Sequence, residues 1–113
     1  MRREIIAFGN YYKDFMDSLN NNEQLKIKYI LSLLEIQDRI PIKFIKHIED
    51  GIYELRMKMG SNIYRLFFIF DEGNIVVLFN GFQKKSQKTP SNEIEKAKKI
   101  KIAYYEYKNN QHK

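Results

Sequence analysis

The sequence has 113 residues, no cysteine and a formal net charge of +6. That length serves one hydrophobic core, and the missing cysteines rule out disulfide staples and thiolate metal sites. No apolar run approaches the ~20 residues of a membrane-spanning helix, and Arg2-Arg3 lead only into a short apolar stretch over residues 5–8, so neither a signal peptide nor a membrane anchor is read and a cytoplasmic chain is expected.

The charge is unevenly spread. Residues 1–50 carry eight basic and eight acidic side chains, whereas residues 51–113 carry twelve basic and six acidic ones, so the whole excess lies in the second half. A one-sided basic field attracts polyanions, chiefly nucleic acid or an acidic protein surface. The plainer alternative is a lysine-rich face that keeps a small protein soluble.

In chain order, residues 2–8 are predicted as a short strand ended by Gly9. Asn10 then starts a short helix over residues 11–19, with Phe15 and Leu19 on one side. The Asn20-Asn21-Asn22 run reads as a turn. A second helix follows over residues 23–37, carrying an apolar stripe of Ile27, Ile30, Leu31 and Leu34. Pro41 ends it, and residues 41–50 read as an irregular connection. Three antiparallel strands come next, over residues 52–59, 62–70 and 75–82, joined by tight turns at Gly60-Ser61 and Glu72-Gly73. The last two are apolar on both sides, which marks central strands covered on both faces. Thr89 as N-cap and Pro90 as first helical residue open a final helix running to about residue 107. The expected fold is a single α+β domain over residues 1–113.

Hairpin geometry then groups the polar side chains. With Met59 facing Asn62, Arg56 lies opposite Arg65, Lys58 opposite Ile63 and Glu54 opposite Phe67. With Asp71 facing Asn74, Arg65 lies opposite Asn80. One sheet face would therefore carry Glu54, Arg56, Lys58, Arg65, Asn80, Phe82 and Lys84. The other, with Tyr53, Leu55, Met57, Tyr64, Leu66, Phe68, Val77 and Phe79, would be the core. Two facing arginines repel, so the pair needs a reason. A salt-bridge network around Glu54 is the structural one. The functional one is an anion site, because guanidinium forks grip phosphate in a bidentate way. Lys84, Lys85 and Lys88 would extend that site along a polyanion backbone, and Phe82 would either stack on a base or pack into the core. His47 and His112 show no metal-ligand spacing, and there is no phosphate-binding glycine loop or nucleophile elbow. No metal and no small-molecule cofactor are expected.

The block from Tyr53-Glu54-Leu55-Arg56 through Tyr64-Arg65, Gly81-Phe82, Lys84-Lys85 and Gln87-Lys88-Thr89-Pro90 resembles the HigB-like, phage-related branch of the RelE/ParE toxins. The resemblance is close over about residues 51–101; the N-terminal half agrees only in its strand–helix–helix order. It implies two N-terminal helices packed on a small, mainly antiparallel sheet, plus a C-terminal helix. It also implies a cytoplasmic toxin of a type II toxin–antitoxin system, held by a cognate antitoxin of the helix-turn-helix type. Such toxins act on mRNA in the ribosome by attack of a ribose 2′-OH on the adjacent phosphate, without metal. Carried over by position, Arg56 and Arg65 become phosphate-binding residues and Lys84 and Lys85 the basic pair after the strand. Glu54 is the candidate general base and Lys58, Phe82, Lys85 and Lys88 the RNA-binding set. Relatives often place a His or Tyr acid near the C-terminal end; no His stands there except His112, which leaves Lys84 or Lys85 as candidate acid. Two other functions stay open on the same fold: a gyrase-poisoning, ParE-like toxin, and a nucleic-acid-binding module without catalysis.

Overall fold

The computed structural model describes residues 2–39, 42–84 and 90–111. Thr89, Lys85, Lys88 and His112 lie outside the described residues.

The chain runs β1 (Glu4–Ala7), α1 (Tyr11–Asp17), α2 (Asn21–Ile36), β2 (Ile45–Glu49), β3 (Ile52–Met59), β4 (Asn62–Asp71), β5 (Ile75–Lys84) and α3 (Ser91–Gln111). The five strands form one mixed sheet in the order β1-β5-β4-β3-β2, with β1 parallel to β5 and the other pairs antiparallel. The Asn20 run is more than a turn. The Asn20 side chain accepts from Glu23 N–H and the Glu23 carboxylate accepts from Asn20 N–H, a capping box that starts α2 two residues earlier than expected. At the other end of α2, the Arg3 guanidinium donates to the carbonyls of Leu34, Gln37 and Asp38, satisfying acceptors that a helix terminus leaves open.

Residues 45–49, expected to be irregular, form β2 and pair with β3. Their polar alternation is too short to stand out, and the pairing supplies the stability that local propensity does not.

Both faces of the sheet are covered, as strands apolar on both sides lead one to expect, but the assignment of the core to a single face needs correction. Phe15 and Met16 of α1, Leu19 just after it, and Ile27, Ile30, Leu31 and Leu34 of α2 pack with Leu55, Met57, Tyr64, Leu66, Phe68, Val76 and Leu78. On the opposite face Ala97, Ile100 and Tyr104 of α3 pack with Ile52, Phe67, Ile69, Val77 and Phe79. Val77 and Phe79 thus belong to the α3 side. The cause is register. The turn after β4 has three residues, since Asp71 pairs with Ile75, and Glu72 and Gly73 take positive φ there. A one-residue slip moves every side chain to the other face. A bulge follows: Leu66 pairs with Gly81 while Phe68 pairs with Leu78, so Phe67 faces both Phe79 and Asn80. The second shift restores the expected parity, and Phe82 and Lys84 return to the face of Arg65.

Gly81 sits where the two layers meet most tightly. A Cβ there would lie 2.4 Å from the Phe15 ring, so only glycine lets α1 settle on β5.

Candidate phosphate-binding site

The β3–β4 ladder brings the arginines together as the first hairpin requires: Arg56 is the cross-strand partner of Arg65, and Glu54 of Phe67. Across β5 the partner of Arg65 is Phe82 rather than Asn80, and Ile63 faces Lys84. Across β2, Lys46 is the partner of Glu54. Cross-strand partners share a face, so Lys46, Glu54, Arg56, Lys58, Arg65, Phe82 and Lys84 all stand on the α3 side of the sheet. The α3 core, centred on Phe67 and Ile69, covers the far half of that face. The cationic cluster occupies the near half.

Arg65 is the anchor. It is 8% exposed, and its Nε lies 2.9 Å from Oε1 of Glu54, itself only 1% exposed. The pair is close but poorly aligned. Arg65 Nε and Arg56 Nε are both buried with no hydrogen-bond acceptor among the described residues. We read the short Nε–Oε1 distance as charge attraction without a directed hydrogen bond. Arg56 is tied down by its other end: its Nη2 donates to the Ile42 carbonyl at 3.0 Å, and its backbone N–H to the Phe44 carbonyl at 2.7 Å.

One carboxylate stands among four cations, Lys46, Arg56, Arg65 and Lys84, and the electrostatics follow. Burial pulls the Arg65 guanidinium below its ordinary pKa; Glu54 opposes that shift and Arg56 adds to it. Lys84 is also pushed down, first by burial and then by Arg65, with Lys46 and Arg56 contributing and Glu54 opposing. An anion placed here would relieve the repulsion.

Phe82 is half-buried, with its ring 5.5 Å from that of Phe67, so it closes the end of the α3-side core. Asn80, 2% exposed, leaves the cluster altogether: it donates to the backbone carbonyl and the carboxylate of Glu93 and so pins the start of α3. Lys58 is exposed at the end of β3. His47 packs edge-on against Tyr53, with ring centroids 5.0 Å apart. Among the described residues no three His, Cys, Asp or Glu side chains are grouped to hold a metal ion, and no helix is long and apolar enough to cross a membrane.

Sequence reasoning misses Lys46 because it does not find β2. The signal available is the Ile45–Ile48 spacing beside a basic residue, which is weak. Glu54 is expected to be a base; its burial and its contact with Arg65 fit it first to hold that guanidinium in place.

Residues 14–101 match the family model described as "Phage derived protein Gp49-like (DUF891)". No curated protein matches the sequence. The fold is similar to that of a free-state variant of the Escherichia coli toxin RelE in which two arginines are replaced by alanine, with a TM-score of 0.63 and 16% identity over 88% of this chain and 99% of that one. It is also similar to RelE in the archaeal RelE–RelB complex from Pyrococcus horikoshii, with a TM-score of 0.54 and 13% identity over 78% of this chain and 100% of that one. At such identities the likeness shows the fold. The chain belongs to the phage-derived Gp49-like family and has a RelE-like fold.

Proposed function

We propose that this member of the Gp49-like family is the toxin of a type II toxin–antitoxin pair, HigB-like in type, that cuts mRNA on the ribosome in the cytoplasm. One observation carries the reading: Arg56 and Arg65 converge from neighbouring strands on one surface, with Lys46 and Lys84 beside them and a single buried carboxylate between. The RelE-like fold and the phage-derived family add to it.

In the proposed reaction the ribose 2′-oxygen attacks the adjacent phosphorus and the P–O5′ bond breaks, leaving a 2′,3′-cyclic phosphate and a 5′-hydroxyl. Arg56 and Arg65 hold the non-bridging oxygens, whose charge grows in the transition state. Glu54 holds Arg65 in place and, as the carboxylate of the cluster, takes the proton that the 2′-oxygen gives up as it attacks. Lys84, its pKa lowered by burial and by its cationic neighbours, donates the proton that the departing 5′-oxygen needs. Lys58, Phe82 and the residues outside the described part, Lys85 and Lys88, contact the flanking RNA. No metal ion takes part. By analogy with the RelE–RelB complex, a cognate antitoxin, here of the helix-turn-helix type, holds the toxin inactive.

The test is to add the purified protein to ribosomes programmed with a defined mRNA, in the presence of EDTA, and to analyse the ends. The reading predicts cuts within the occupied codon that carry cyclic phosphate and 5′-hydroxyl termini. Intact mRNA with broken DNA in gyrase assays would replace it by the ParE-like reading.

A further inference from the structure

Next to the two arginines, away from β5, lies a cleft of about 440 Å³ between α2, the segment before β2 and the ends of β3 and β4. Its lining includes Lys26, Lys43, Phe44, Arg56, Lys58 and Arg65, and no acidic residue among those described. That volume falls within the ~300–1,000 Å³ typical of small-ligand sites. Five cations around one hollow repel one another, and such an arrangement is stable to the extent that water or an anion fills it.

Two details show that the cations are arranged rather than scattered. Lys26 Nζ donates to the Lys58 carbonyl oxygen, which bends a helix-borne ammonium over the strand ends and leaves two of its donors for a ligand. Arg56 is held by Ile42 and Phe44, yet its buried Nε has no acceptor among the described residues. The guanidinium is thereby fixed with donor capacity to spare. Phe44 adds a half-buried apolar wall, with the Lys43 ammonium held over its ring at 4.9 Å from the centroid, which places that cation in the cleft.

We infer that this cleft is a second phosphate-binding subsite, in which the RNA strand continues from the Arg56–Arg65 centre towards Lys43 and Lys26. The inference rests on the reading of that centre as an RNA-cleaving site, and it adds a direction for the strand. Arg56 and Arg65 border both places, so a single-stranded backbone passes from one to the other without leaving cationic surface. A polyanion with regularly spaced charges fits this continuity better than a compact acidic peptide, whose carboxylates would have to reach into a hollow that already holds an aromatic wall.

The experiment measures binding of a fluorescein-labelled, fully 2′-O-methylated oligoribonucleotide, which offers no 2′-OH for attack. Proteins compared are the wild type, Lys26→Ala, Lys43→Ala, the double variant, Lys26→Arg and the exposed-helix control Lys99→Ala, at several salt concentrations. Removing one cation that neutralises a phosphate should reduce the slope of log K against log salt by about 0.7, so the double variant should lose about 1.4. Its affinity should fall at least tenfold, while Lys26→Arg and Lys99→Ala stay within twofold of the wild type. Thermal melts of all variants identify any that fail to fold; Lys26→Arg, which keeps the charge, then decides whether the ammonium or the helix packing matters. Unchanged slope and affinity in a folded double variant would overturn the subsite, as would loss of binding to polyglutamate with RNA binding intact. Binding that behaves as expected in a protein that cuts no RNA would leave the subsite standing and remove the nuclease reading.

Discussion

The α3 side of the sheet carries polar clusters at both ends of β4, and they are built to opposite specifications. At the Asp71 end, the Asp71 carboxylate accepts from Tyr104 and Lys108, each at 2.6 Å, and Lys108 also reaches Glu72 at 3.1 Å. Charges and donors there are matched, and they clasp α3 to the β4–β5 turn. Six residues along the strand, roughly 20 Å away, the Arg65 end holds a surplus of cations around one carboxylate, with two guanidinium nitrogens lacking acceptors among the described residues. The difference separates stability from function. Matched polar groups lock an element in place, whereas an unmatched cluster stores a demand for anionic partners that the described residues do not meet.

The widest effect should come from Arg65→Ala, because Arg65 belongs to both categories. It removes the anchor of the proposed anion site and takes from Glu54, at 1% exposure, its Arg65 partner. Breaking a buried pair costs about 3–5 kcal/mol, so the variant should lose RNA cleavage and also melt well below the wild type. Loss of cleavage with an unchanged melting temperature would mean that the pair contributes nothing to the fold. Asp71→Ala should separate the two ends. It should lower the melting temperature by on the order of 10 °C, following the loss of about 3 kcal/mol from the clasp, and leave RNA cleavage intact below the new transition. Gly81→Ala comes next: the added methyl meets the Phe15 ring, and overpacking costs about 1–3 kcal/mol, read by chemical denaturation.

The smallest effect is a pH dependence of opposite sign at the two ends. Burial alone would raise the Asp71 carboxyl, but the hydrogen bonds from Lys108 and Tyr104 outweigh it and hold its pKa below the ordinary value. Its contribution is complete above about pH 4 and fades as pH falls through the lowered pKa. Tyr104 is pushed up to about 12, first by burial and then by Asp71. Its contribution is complete below about pH 10 and fades as pH rises towards the folded value. Lys84 has the reverse sign, because its folded pKa is lowered. Stability should rise with pH between that lowered value and its ordinary ~10.4, where the unfolded chain still holds the proton. Denaturation midpoints measured from pH 8 to 11 should show the alkaline loss shrink in Asp71→Ala, to the part that burial of Tyr104 causes, and steepen in Lys84→Met.

The same contrast explains what can be read in the sequence. The Arg56–Arg65 pairing is legible because Gly60-Ser61 fixes a two-residue turn, and Gly60 indeed takes positive φ. The expected face of Phe82 and Lys84 is also right, though through two departures that cancel: a longer turn at residues 72–74 and a bulge at Phe79-Asn80. Between them, Val77 and Phe79 lie on the side opposite to the expected one, and with them goes the whole role of α3 as the cover of a second core. Neither a third turn residue nor a bulge leaves a mark in alternation when a strand is apolar on both sides. The Asp71 clasp is invisible for a related reason, since Tyr104 reads as an ordinary member of an amphipathic helix and Lys108 falls beyond the expected helix end near residue 107, whereas α3 runs on to Gln111. Lys46 and the Lys26–Lys43 cleft depend on packing between elements, which no local pattern encodes.

The most direct measurement of the central claim uses Arg56→Ala, which removes a half-buried guanidinium without unpairing Glu54. Wild type and variant are expressed in translating extracts and mRNA 5′ ends are mapped across the transcripts. The account predicts codon-phased cuts by the wild type and a loss of about 10²–10³ in their rate for the variant, at a melting temperature close to that of the wild type. Cuts that persist undiminished in a folded Arg56→Ala protein would contradict it.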